Sequence, residues 1–330
     1  MSEIQSIPYS VRFTPPLVTA RGTVEQRRGF LHGIEYDGKR FVAETALLPQ
    51  FGTEHFEHAE RILNGESMLL ASAPATVFGL DCLRYALEQR DAETLRVPVA
   101  KLLPGGTLQE TIEQARQALL AGFETVKIKV GVRDLTDDIQ LVNLLALELP
   151  ELVLRLDANL SWSGDDVRRF ADAIKPECVE WLEDPCRAPL PVWLTLTKET
   201  GLPLACDEAF REREILQHAG NFGFAALVLK PARLGALTER RAVLDCMREA
   251  EIPVVLSSLI DSSIGLAYLA HLAAEWSTLD LAHGLGTLDL LGEDTLEQGL
   301  RIEAGQLIVP PLRDLAQMLK PKFAQEFGWQ

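Results

Sequence analysis

Two lysines one residue apart, in the run Thr-Val-Lys127-Ile-Lys129-Val, are the first place where this chain could move a proton. Side chains alternate between the two faces of an extended strand, so both amines point the same way. Within a closed sheet each disfavours the charge of the other and loss of water adds to this, so one can serve as a neutral base near neutral pH. On an edge strand the same pair would simply be solvated, and Lys-x-Lys alone is too short to decide.

The next constellation is acidic. In Leu-Arg155-Leu-Asp157-Ala-Asn159, alternation puts Arg155, Asp157 and Asn159 on one face and Leu154 and Leu156 on the other. Two further apolar runs end in Trp-Leu-Glu183-Asp184-Pro and Ala-Cys-Asp207-Glu208. Carboxylates closing three successive strands would repel one another unless a cation sat between them. A set of hard oxygen donors without His or Cys selects Mg²⁺, or Mn²⁺, and leaves positions for water and a substrate carboxylate. Any one such acid could instead cap a helix or a loop, which is how Glu208 reads. A third lysine, Lys230 in Val-Leu-Lys-Pro, closes the run after these. Lysines on two sides of a divalent ion suit removal of a proton next to a carboxylate, because the enolate that forms needs positive charge around it.

These residues need a frame. From about Val97 onward, short β-branched or leucine-rich runs alternate with longer helical patterns, which predicts βα units around a parallel sheet. The strands are expected at Val99–Leu103, Thr125–Val130, Leu152–Ala158, Val179–Glu183, Leu202–Asp207, Ala226–Lys230, Pro253–Ser258 and Leu281–His283, with helices such as Leu108–Ala121 and Arg233–Ala250 between them. Eight in succession favour a barrel, whose chemistry sits at the carboxyl ends of the strands and would set Lys230 across the mouth from the lysine pair. An open doubly wound sheet is the alternative, but none of these strands is followed by Gly-x-Gly-x-x-Gly.

The opening part reads differently. Ser10–Phe13, Gly29–Tyr36 and Phe41–Ala46 look like an antiparallel meander with turns at Pro15-Pro16 and Asp37-Gly38, followed by helices at Glu54–Asn64 and Ala75–Glu88. The expected division is an α+β capping domain, residues 1–97 joined by about 305–330, and a barrel domain, 98–304.

The chain has 330 residues, 47% hydrophobic and 24% charged, enough for a sizeable core. Its 32 basic against 48 acidic residues give a net charge of −16, which disfavours nucleic acid and anionic membranes as partners. Met1 to Ser10 lacks the pattern of a secretion signal, and no stretch offers the ~18 apolar residues of a membrane span, so a cytoplasmic protein is expected. Five cysteines without a Cys-x-x-Cys pair read as buried, reduced thiols.

Taken together, Lys127-x-Lys129, Arg155-x-Asp157-x-Asn159, Glu183-Asp184-Pro185, Asp207-Glu208 and Lys230-Pro231 resemble the muconate-lactonizing branch of the enolase superfamily. Three stretches are similar to the o-succinylbenzoate synthase family within it: Ala46-Leu-Leu-Pro-Gln-Phe-Gly-Thr-Glu54, Arg155-Leu-Asp157-Ala-Asn159 and Ser257-Ser-Leu-Ile-Asp-Ser-Ser-Ile-Gly265. His283-Gly-Leu-Gly286 also fits. The first stretch departs from the family's usual Pro-Leu-Pro-Gly-Phe-Ser, and Asp261 stands where Glu is common.

The resemblance implies a modified TIM (β/α)7β barrel with an α+β cap, and Mg²⁺, with Mn²⁺ as substitute, held by Asp157, Glu183 and Asp207. It implies a small carboxylate substrate and syn dehydration of 2-succinyl-6-hydroxy-2,4-cyclohexadiene-1-carboxylate to 2-succinylbenzoate, a step of menaquinone synthesis. Lys129 would be the base, Lys230 the electrostatic partner, and Lys127 would tune Lys129. Arg155, Asn159 and Asp184 would orient the ligands or the substrate. Ser257, Ser258 and the backbone at Gly284 would hold the succinyl tail under a loop around Phe13–Thr23. Three alternatives stay open: an N-succinylamino acid racemase, a dipeptide epimerase, or a barrel that binds without catalysis. Members range from monomers upward, so the oligomeric state stays open too.

Overall fold

The computed structural model describes residues 3–19, 22–66, 72–89, 93–207, 224–237, 240–277 and 281–329. The chain begins with three antiparallel strands in the order β1 (Gln5–Thr19), β2 (Gly22–Tyr36) and β3 (Lys39–Leu47). Asp37 and Gly38 both take positive φ between β2 and β3, as a two-residue hairpin turn requires. At Pro15-Pro16 the expected turn is absent. The two prolines donate no N–H, so the ladder shifts register between Arg12 and Leu17 and resumes as Leu17↔Val24. The stretch expected to form a loop over the site therefore runs as strand in its described parts, with Phe13 buried and bridged to Leu291.

Two helices follow, α1 (Phe56–Leu63) and α2 (Pro74–Glu88). The carboxylate of Glu54 accepts from the backbone N–H of Ala75 (3.1 Å) and Thr76 (2.7 Å), capping α2 from outside its own chain segment. Thr53 accepts from the Leu48 amide at 2.8 Å, so the conspicuous stretch ending at Glu54 has a folding role of its own.

The barrel consists of β4 (Leu95–Leu102), β5 (Thr125–Lys129), β6 (Val153–Asp157), β7 (Val179–Glu183), β8 (Leu204–Cys206), β9 (Ala226–Leu229), β10 (Val254–Leu256) and β11 (His283–Gly286). Every neighbour among them is parallel, β11 returns to pair with β4, and a Ser257–Gly284 bridge joins the last two strands. That closure excludes the open sheet. Among the described residues the outer layer is α3 (Leu108–Leu120), α4 (Leu135–Glu148), α5 (Gly164–Ala173), α6 (Leu190–Thr200), α7 (Arg240–Glu249) and α8 (Ser263–Trp276). Capping boxes start α3 (Thr107 with Glu110) and α5 (Ser163 with Asp166). Residues 208–223, with Glu208, lie outside the described residues.

A hairpin of β12 (Arg301–Glu303) and β13 (Gln306–Val309) then pairs antiparallel with the first half of β4. The final helix, α9 (Pro321–Glu326), lies against the N-terminal sheet: Phe323 meets Tyr9 edge-on, and Phe327 and Trp329 press on Gly33.

Sheet and barrel are joined by buried polar groups. Glu44 of β3 reaches the start of α8, where it accepts from the Gly265 amide at 2.8 Å and the Ser262 hydroxyl at 2.7 Å. Asp294 takes the Ser263 amide at 3.0 Å. Burial, then the nearby Asp261, raises the Glu44 carboxyl. Arg27, fully buried, donates to the carbonyls of Leu47 and Leu259. Beside them, Phe13, Leu48 and Ile260 form an apolar cluster with Leu17, Val24, Phe51, Leu290 and Leu291.

None of the five cysteines is bridged. Cys82, Cys186 and Cys206 are buried as expected, whereas Cys178 and Cys246 are half-buried. No described helix is long and apolar enough to cross a membrane.

His32 gives the fold a testable acid response. Its ring lies between the hydroxyls of Ser6 (2.8 Å) and Thr45 (2.7 Å), and burial lowers its pKa from 6.5 to about 3. Below pH 6.5 the unfolded chain takes a proton there that the folded chain refuses, so stability falls with pH down to about 3. Chemical denaturation across that window should show His32→Gln flattening the slope by about 1.4 kcal/mol per pH unit. Identical slopes would rule this origin out.

Candidate active site

The strand ends assemble the site by register. Lys127 pairs with Arg155 and Lys129 with Asp157 between β5 and β6, and Asp157 pairs with Glu183 on β7. Glu183 pairs with Ala205 on β8, which leaves Asp207 two residues further along the same face. Lys230 follows β9, four strands around from β5. The structure thus brings all three acids and all three lysines to one mouth.

Their contacts follow a pattern. The Lys127 ammonium lies 3.0 Å from Asp157 Oδ2 and bonds Glu183 Oε2, while Lys230 bonds Asp207 Oδ2. The other oxygen of each acid is held from behind or faces a guanidinium. Asp157 Oδ1 accepts the Asn159 amide at 3.0 Å, Glu183 Oε1 accepts the Trp181 indole N–H at 3.2 Å, and Asp207 Oδ1 lies 3.7 Å from Arg233. Among the described residues no three acidic, His or Cys side chains close on a common point. Lysines stand between the acids and supply the counter-charge.

The electrostatics follow from that placement. Burial alone would lower the Lys127 pKa, but Asp157, Glu183 and Asp207 overcome it and raise it, which fixes Lys127 as an ammonium. The residues alone left open which lysine of the pair would give up its charge; at Lys127 the surrounding acids hold it. Burial would raise Asp157, and Lys127, Lys230 and Lys129 reverse this, so its pKa is lowered. Glu183 is raised by burial, with Asp157 and Asp207 adding to it against Lys127.

The remaining candidates divide. Lys129 is exposed at the mouth and bonded to the Asn159 side chain, whose residue takes φ +45° at the turn after β6. Asp184, φ +43°, turns its carboxylate back to accept the Asp207 amide at 3.0 Å. Arg155 lies one layer deeper, 2% exposed, stacked 3.9 Å over Trp181 and paired with Glu180 at 2.5 Å. It does not reach the mouth. The Ser258 hydroxyl is buried against Thr287 (2.9 Å) and the Ile260 amide, whereas Ser257 is half-buried against Gly284, where a Cβ would come within 2.7 Å of its Oγ. His283 accepts the Leu256 amide at Nδ1, and burial, with Arg155, lowers its pKa to about 4.

Sequence reasoning passed over Trp181 and Arg233. Each had a signal: Trp181 shares the face of Glu183 two residues away, and Arg233 follows Lys230-Pro at the opening of a turn.

The Enolase C-terminal domain-like family profile matches residues 110–313, more than half of the chain. The chain belongs to the enolase superfamily. As a member it is an enzyme, and the curated relatives place it with the lyases: the o-succinylbenzoate synthase of Yersinia enterocolitica is 31% identical over 301 residues, 88% of this chain and 91% of the relative. Among solved superfamily structures, the muconate lactonizing enzyme from Pseudomonas fluorescens complexed with muconolactone superposes with TM-score 0.80 at 18% identity, covering 99% of this chain and 98% of that one. The dipeptide epimerase from Methylococcus capsulatus, complexed with Mg and the dipeptide L-Arg-D-Lys, superposes with TM-score 0.78 at 20% identity, covering 94% and 98%. These two likenesses establish the shared modified TIM barrel.

Proposed function

We propose that the chain is an o-succinylbenzoate synthase, removing water from 2-succinyl-6-hydroxy-2,4-cyclohexadiene-1-carboxylate to form 2-succinylbenzoate in the cytoplasm, for menaquinone synthesis. The observation that carries the reading is a pair of lysines, Lys129 and Lys230, on opposite sides of a mouth floored by three buried carboxylates. The shared name of the relatives supports the choice of substrate.

The donor set fits a hard divalent ion. Asp157, Glu183 and Asp207 each have one oxygen fixed from behind or facing a guanidinium and the other turned to an ammonium, and among the described residues neither His nor Cys intervenes. These three would hold Mg²⁺, the metal present with the epimerase, and when bound it supplies positive charge to the substrate carboxylate.

The protein's own groups then do the following. Lys129, held by Asn159, takes the ring proton next to the carboxylate. The electron pair left behind drives out the hydroxyl on the same face as the ring becomes aromatic, and the Lys129 ammonium returns its proton to that hydroxyl, which leaves as water. Lys230 remains an ammonium opposite the developing negative charge, where one such group in a dry site is worth about 3 kcal/mol of barrier. Lys127 stays charged and bridges Asp157 and Glu183. Residues 1–97, joined by about 305–330, would form the α+β cap, which meets the barrel through the cluster of Phe13, Leu48 and Ile260.

The facing lysines also favour a second reading, 1,1-proton transfer on an N-succinylamino acid or a dipeptide. The deciding experiment is an assay with the cyclohexadiene carboxylate, with Mg²⁺ and then excess chelator, beside a panel of N-succinylamino acids and dipeptides. Chelator-sensitive dehydration is the expected result. Metal-dependent racemisation without dehydration would overturn the synthase reading in favour of the second.

A further inference from the structure

We propose that Trp181 is a positioning residue that sets the orientation of Glu183, and through it the affinity of the site for its divalent cation. The inference rests on the reading of Glu183 as a cation ligand. Residues 181 and 183 share the inward face of β7, and the indole N–H donates to Glu183 Oε1 at 3.2 Å while Lys127 takes Oε2. A glutamate has three free side-chain torsions, so a contact at one oxygen leaves the carboxylate free to swivel. Contacts at both leave one orientation.

The indole is itself immobilised. It is 2% exposed and packs with Ala205, Ala226 and Val255 inside the barrel. The Arg155 guanidinium lies 3.9 Å over it, and Arg155 is tied to Glu180 and to the Ala282 carbonyl. Glu180 reaches Arg155 because β7 carries an extra residue there: Leu154 pairs with Val179 and Arg155 with Trp181, which leaves Glu180 as a bulge. A chain of contacts thus runs from the barrel floor through Arg155 and Trp181 to Glu183. Groups that orient a ligand from behind typically change metal affinity by about 10–100-fold when lost.

The test is W181F, which keeps a buried ring under Arg155 and removes the N–H. Calorimetric titration should show wild-type protein binding Mg²⁺ and W181F binding it at least about tenfold more weakly, with kcat at saturating Mg²⁺ largely recovered. Equal affinities would overturn the positioning role. Absence of Mg²⁺ binding by the wild type would overturn the ligand reading beneath it. If circular dichroism shows W181F unfolded, ¹⁵N-indole-labelled wild-type protein serves instead, with Trp181 assigned by Trp→Phe substitution at 162, 193, 276 and 329. Its signal should move on Mg²⁺ binding; a fixed signal in the presence of binding heat overturns the proposal.

Discussion

Lys129→Ala is expected to lower kcat for dehydration by about 10²–10⁴, the range a positioned general base contributes, while leaving the fold intact. The separation of effects follows from exposure. Lys129 stands at the mouth with Asn159 as its partner, so truncation neither opens a core cavity nor strands a buried charge. Lys127→Ala is the instructive contrast. It would leave Asp157 and Glu183, 9% and 2% exposed, without their shared ammonium, a loss that should register in thermal unfolding as well as in rate. Single-turnover rates and melting curves of both variants check this. Near-wild-type turnover by Lys129→Ala would remove it from the role of base.

Asp207→Asn is expected to raise the Mg²⁺ requirement at least about 100-fold, beyond what loss of an orienting neighbour produces. The substitution keeps shape and removes one negative charge from a group facing Lys230 and Arg233, both only slightly exposed. The amide is a poorer donor to a hard cation, and two buried cations lose their shared counter-charge. Activity measured against Mg²⁺ concentration, with chelator-treated wild type as baseline, gives the comparison. Overlapping Mg²⁺ curves for variant and wild type would exclude Asp207 as a ligand.

Much of the barrel was legible because its strands are short, β-branched and spaced by helices. Val179–Glu183 appears as expected, and the other seven differ at their ends by a few residues. The polar strand ends were legible for a related reason: charged groups closing apolar runs have no packing role to explain them. Pro15-Pro16 misled because proline signals interrupted pairing without saying whether the chain reverses or only slips. Which lysine of the pair keeps its charge was not legible, because the acids that raise Lys127 arrive from β6, β7 and β8. Trp181 was passed over for the same reason, since its importance depends on Arg155 lying over it from the next strand.

The contact between Glu44 and the first turn of α8 bears on how freely this architecture can be recombined. The carboxylate that completes a barrel helix is encoded more than 200 positions upstream, and Gly265 is compelled by it, because a Cβ there would come within 2.7 Å of both Glu44 Oε2 and Asp261 Cβ. A chimera that grafted another member's N-terminal sheet onto this barrel would leave the Gly265 amide without its acceptor unless an acid arrived at position 44. A graft in the other direction would set a buried acid against whatever side chain replaced Gly265. The two halves are therefore modular only as a matched set, and exchange of specificity by swapping one of them has to carry this pair across the seam.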